Sequence, residues 1–229
     1  MRRSIPRRAV RAILALLLAS GCVRDPWVRT LDEERGTVAV YREREVVDGK
    51  LVDPGWDHPR EFDEDTVRRI LESLFVLEPF PFSADRIAPV FSDEEVDRLS
   101  PLLVAAFGKA SSFERLRFFT YQPGLLGLFA ARDRTEGVLF VEPGDRLNVA
   151  FAAVREAIDP RSEEIVGGED PCRVTVSRVR LLPPEGFGTQ RRRGWNDEYP
   201  LWVVVDLKGV HTEATSPPLP LEGERREAR

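Results

Sequence analysis

The strongest constraint on the fold of this chain is a change of period near residue 113. In two segments between residues 63 and 108 apolar residues recur at helical spacing, whereas from residue 113 they alternate. Residues 113–121 read as a strand, and 125–130 are a weaker apolar run. Residues 137–142 and 146–153 make the clearest hairpin. Glu142-Pro143-Gly144-Asp145 joins its strands, proline presetting one turn dihedral and glycine supplying a positive one. Residues 174–182 predict another strand, with a slip near Arg178 that marks a bulge. Residues 201–207, Leu-Trp-Val-Val-Val-Asp-Leu, are the most apolar segment and predict a central strand. Strands that follow one another without intervening helices make a meander, not a parallel sheet.

Upstream, residues 37–47 alternate as a further strand, which Asp48-Gly49 turns. Two helices follow. In the first, Asp63 caps the free amides, Phe62 staples onto Val67, and Val67, Ile70, Leu71 and Leu74 share one face. In the second, Ser92 and Glu95 form a capping box, and Val96, Leu99, Leu103 and Ala106 form the apolar stripe up to Gly108. Pro101 inside that pattern predicts either a kink or a second short helix capped by Ser100. Pro79-Phe80-Pro81-Phe82 reads as an extended crossover, in which Phe80 and Phe82, with Trp56, close a small core. The expected fold class is α+β: a twisted antiparallel sheet with two or three helices packed on one face. It occupies residues 37–208 as a single domain, with 209–229 a disordered tail rich in proline and charge.

The N-terminus states an address. Arg2, Arg3, Arg7, Arg8 and Arg11 precede a short apolar core at residues 12–19 and then Ser20-Gly21-Cys22. This is the pattern of a secretory signal peptide, and the core is shorter than the roughly 20 residues a spanning helix needs. The cysteine after Ala19-Ser20-Gly21 resembles the lipobox of bacterial lipoproteins, with Ala19 where leucine is commonest. That resemblance implies removal of residues 1–21, lipidation of Cys22 and a lipidated tether over residues 22–36. Val23, in place of an aspartate, implies the outer membrane of a two-membrane bacterium, on its periplasmic face.

Removal of residues 1–21 takes five arginines and no acid, lowering the formal net charge from −5 to −10. Such acidity argues against nucleic acid, which requires a clustered basic footprint. With Cys22 acylated, Cys172 is left without an intrachain partner: buried, reactive or bridged to another protein. Glu169 and Asp170 beside it raise its thiol pKa.

Catalytic patterns are thin. His58 and His211 are the two histidines. Asp57, His58, Glu61, Asp63 and Asp65 lack the spacing of a calcium loop, and acids at a helix start suit its dipole. No Gly-x-Ser-x-Gly elbow occurs, Ser111 and Ser112 have no histidine near them in sequence, and Gly186 and Gly188 lack the rest of a phosphate-loop fingerprint. No catalytic residue, metal ligand or cofactor is assigned.

The candidate binding segment is the long loop at residues 183–200, which carries Arg191, Arg192 and Arg193 and then Trp195. A basic cluster beside an exposed tryptophan suits an anionic envelope component or an acidic protein. The expected function is a lipid-anchored envelope protein acting as an interaction or accessory subunit, its partners the membrane through the lipid and an envelope protein or anionic component. The alternatives are an exported hydrolase using acidic residues with His58, and a small-molecule or lipid carrier holding its ligand between sheet and helices.

Overall fold

The structure is a computed structural model that describes residues 25–79, 84–123, 132–158, 170–183, 188, 190–193 and 198–209. Cys22, Phe80, Phe82, the 125–130 run, Trp195, His211 and the 210–229 tail lie outside the described residues. The fold is α+β: mostly antiparallel sheet, with two α-helices.

Strands β1 (Trp27–Arg35), β2 (Val38–Val47) and β3 (Lys50–Leu51) open the chain. Helix α1 (Glu64–Glu72) follows, then strands β4 (Phe75–Glu78) and β5 (Arg86–Pro89), then helix α2 (Asp93–Lys109). The chain continues through β6 (Glu114–Pro123), β7 (Arg132–Glu142), β8 (Arg146–Ile158), β9 (Arg180–Leu182), β10 (Gln190–Arg193) and β11 (Glu198–Asp206). The main sheet has the order β1-β2-β6-β7-β8-β11-β10, with β3 on β2, and a small sheet has the order β5-β4-β9.

Local chemistry placed many of these elements. Asp63 accepts from the Thr66 amide at the start of α1. Ser92 and Glu95 form the complete capping box of α2. That helix runs unbroken through Pro101, and Ser100 does not cap a second helix: its hydroxyl donates to the Val96 carbonyl at 2.8 Å. Asp48 and Gly49, both at positive φ, close β2 onto β3. Gly144 and Asp145, also at positive φ, turn β7 into β8.

Three expectations change, and two strands are new. Residues 27–35 are not tether but strand β1, paired with β2 with a register shift between Leu31 and Glu33. Strands β4 and β5, on either side of residues 80–83, pair antiparallel. Of residues 174–182 only the last three are strand, and they pair with β4 in the small sheet. The apolar β11 is not central: it lies one strand from the edge, between β8 and β10. Its continuous apolarity follows from burial on both faces. Leu201, Val203 and Val205 enter the main core, while Trp202 packs on the other face with Val138, Phe140 and Ala150.

The main core takes alternate residues from the sheet, among them Val40, Phe118, Leu139, Val149 and Val203, together with Ile70 and Leu71 of α1 and Leu99, Leu103 and Phe107 of α2. The intervening residues of β2, β6 and β7 point the other way, and several are charged.

Candidate functional site

That second face of the sheet holds a buried ion network. Glu43 of β2 faces Arg115 of β6 in register. Its carboxylate accepts from Arg115 Nε at 2.6 Å and from Arg29 Nε of β1 at 3.0 Å, and lies 3.5 Å from Arg117 Nη1. Arg117 also bonds Glu136 of β7, which lies 3.6 Å from Arg134. The side chains of Glu43 and Arg117 are fully buried. Burial opposes the Arg115 charge, yet Glu43, with Cys172 and Asp170, holds its pKa above the usual guanidinium value. The indole of Trp27 lies under the Arg115 guanidinium, 3.5 Å from its carbon.

A short 3-10 turn, Pro171–Arg173, closes over this network. Asp170 approaches Arg115 Nη2 at 2.9 Å, and Cys172 Sγ accepts from Arg115 Nη1 at 3.5 Å. Cys172 is half-buried and free. Burial pushes its thiol up to about 12, Arg115 only partly opposing the rise, which leaves little reactive thiolate near neutral pH.

The expected binding segment is divided. Residues 190–193 form strand β10, at the end of the main sheet opposite β1, with Arg191 in register with Val203 and Arg193 with Glu198. Arg192 is half-buried, its guanidinium 5.2 Å from the Trp202 ring and 3.3 Å from both oxygens of Glu142. Within this segment the described arginine–tryptophan pair is therefore Arg192 with Trp202, a packing contact on the sheet. Trp202 is fixed in turn by a 3.0 Å bond from its indole N–H to Asn148 Oδ1.

His58 is buried against α2, its ring stacked on Phe107 at 5.4 Å between centroids. Its Nε2 accepts from the Val141 amide at 3.2 Å, so that nitrogen is engaged in joining the 52–63 segment to β7. Desolvation lowers its pKa to about 4. The acids near it are also in structural use: Asp57 pairs with Arg60 at 2.8 Å, and Asp63 caps α1. Ser111 bonds Glu114 in the turn before β6. Among the described residues no group of three or more His, Cys, Asp or Glu is placed to hold a metal ion.

A groove of about 780 Å³ lies along the far half of β8. It runs between residues 152–157 of that strand and the extended segment 174–179, with Leu201 at one end. Arg134, Arg155 and Arg178 line it with Glu136 and Glu156. Arg155 sits at φ 49°, where β8 bulges between its pairings with Arg134 and Glu136, and its amide donates to Thr135 Oγ1 at 3.2 Å. Sequence reasoning placed a bulge near Arg178 instead, on the opposite rim.

The buried network and the groove were both missed from sequence. The signal for the first was present: Arg115 and Arg117 alternate with Leu116 and Phe118, so one face of that strand is cationic. The groove left no such signal, because its two walls are separated in the chain. No family model, no curated protein and no solved structure matches the chain.

Proposed function

We propose that the protein is a lipid-anchored component of a bacterial cell envelope, an interaction or accessory subunit held by Cys22 on the periplasmic face of the outer membrane. The observation that carries this is the short distance from the lipobox-like Ala19-Ser20-Gly21-Cys22 to the folded sheet. Trp27, the first residue of β1, stands five residues after Cys22. Five residues extend at most about 17 Å, so an acyl anchor at Cys22 holds the β1 edge against the headgroup region. One acyl chain binds marginally, at ~0.8 kcal/mol per buried methylene, whereas the several chains the resemblance implies hold firmly.

A non-catalytic role is supported by the use the fold makes of its reactive groups. The Val141 amide occupies His58 Nε2, burial holds Cys172 as a thiol, and the sheet arginines and glutamates neutralise one another. A twisted sheet with both helices on one face is the finer architecture proposed, supported by the single core that α1 and α2 share with alternate sheet residues.

Intact mass of the membrane-extracted protein, beside a Cys22→Ser variant, tests the anchor. A lipid-sized gain on a fragment beginning at Cys22, lost in the variant, is the expected result. A freely soluble, unmodified product overturns the anchored reading.

A further inference from the structure

The groove beside β8 follows a stretch of that strand which, among the described residues, is paired on one side only. Strand β11 pairs with β8 from Asp206↔Arg146 to Trp202↔Ala150 and no further. Continued by two residues, that register would set Pro200 opposite Ala152, and proline has no N–H to give the ladder. β11 leaves β8 there and goes on beside β10, with Glu198 in register with Arg193. The side of β8 turned away from β7 is thereby left, among the described residues, without a strand over 152–157. All six of those consecutive residues line the groove, as they must if it follows the edge of the strand rather than one of its faces. Six residues of strand span about 20 Å.

The opposite wall keeps the slot open. Segment 174–179 is anchored by Val174, which is buried, and by Val179, which packs on the main core. Between them Val176 is 86% exposed. No backbone hydrogen bond among the described residues joins this segment to β8.

The lining is amphipathic and its charge is uneven. Val154, Val174 and Leu201 supply apolar surface. Glu136 is committed to Arg117, and Glu156 lies 3.5 Å from Arg134. Arg155 interacts with Asp133 and lies 4.0 Å from Glu78, and its buried Nε has no hydrogen-bond partner. Arg178 is exposed, with no carboxylate of the described residues within ion-pair distance. Two cations thus face a groove of mixed apolar and charged lining that runs along a free edge of β8.

We infer that this groove binds an extended acidic segment of a protein partner by strand addition to β8, with alternate side chains directed to the apolar wall and to Arg155 and Arg178. Main-chain bonds give such a complex its affinity, and the alternating side chains give its specificity. The inference names the partner class for the interaction subunit proposed above, but its test needs no lipid.

The probe is a fluorescein-labelled, capped octapeptide of alternating valine and glutamate, titrated by anisotropy into the full-length protein in detergent. Saturable binding is expected, weakened about tenfold or more by Arg178→Glu, since loss of one charge pair and gain of a repulsion costs at least about 1.4 kcal/mol. Arg178 is exposed, so this variant keeps the fold. A peptide with lysine for glutamate, and one N-methylated at alternate residues, are expected not to bind. Equal binding of the N-methylated peptide would overturn strand addition, and an unaffected Arg178→Glu variant would overturn the site. A lipid-sized mass on Cys22 with no peptide binding would also remove the groove inference, while leaving the anchored subunit in place. Peptide binding by an unacylated protein would support the groove without the anchor.

Discussion

Glu43 and Arg115 face one another across β2 and β6 at 2.6 Å, with side chains 0% and 2% exposed. Two further arginines, Arg29 and Arg117, share the same carboxylate. A buried ion pair adds little over a well-packed apolar pair, but removing one partner strands the other's charge. Glu43→Ala removes the carboxylate that all three share, leaving Arg29 with Asp25, Arg115 with Asp170 and Arg117 with Glu136. Chemical denaturation is expected to show a loss of about 3–5 kcal/mol, and a loss under about 1 kcal/mol would mean that water reaches the arginines. Glu43→Gln, which keeps the shape, is expected to fall between the variant and the wild type.

His58 gives stability a pH dependence with a definite sign. Its folded pKa of about 4 lies below the ordinary 6.5. The unfolded chain therefore binds the proton first as pH falls, and stability is lost between about pH 6.5 and 4. The loss reaches about 3 kcal/mol at most. Denaturation midpoints of wild type and His58→Phe at pH 7.5 and 5 check it: the wild type is expected to lose ground to the variant at the lower pH. A constant difference would show that the imidazole is solvated.

Gly137 lies in β7 opposite Phe118. A Cβ there would stand 2.7 Å from the Ala150 carbonyl oxygen and 2.8 Å from the Phe118 ring. Backbone on one side and a packed aromatic on the other leave no room to yield. Gly137→Ala is expected to cost about 1–3 kcal/mol and to lower the thermal midpoint, the opposite of the usual benefit of alanine over glycine in a strand. An unchanged midpoint would mean that β7 and β8 can shift apart.

Cys172 is expected to resist alkylation. In a Cys22→Ser background, iodoacetamide at pH 8 should label the folded protein far more slowly than the protein in denaturant, because the folded thiol is pushed up to about 12 and is half-buried. Equal rates would show that the Pro171–Arg173 turn opens readily.

The sequence alone determined those elements whose cause is local. Asp63, the Ser92–Glu95 box, Asp48-Gly49 and the Pro143-Gly144-Asp145 turn act over a few residues, and each is where its chemistry requires. The alternation of β6, β7 and β8 was equally plain, because one face of each strand meets a continuous core. Tertiary structure decided what depends on partners distant in the chain. Strand β1, Trp-Val-Arg-Thr-Leu-Asp-Glu-Glu-Arg, is too polar to declare itself; Arg29 gains a place by pairing with Glu43, and Asp32 by accepting from Arg42. Arg115, Arg117 and Glu136 read as surface until the sheet buries them against one another. The groove lies where the β11–β8 ladder has ended and where Val174 and Val179 fasten a distant segment beside β8. Propensity and capping are properties of neighbours in sequence; charge neutralisation and a groove between distant segments are properties of the assembled sheet.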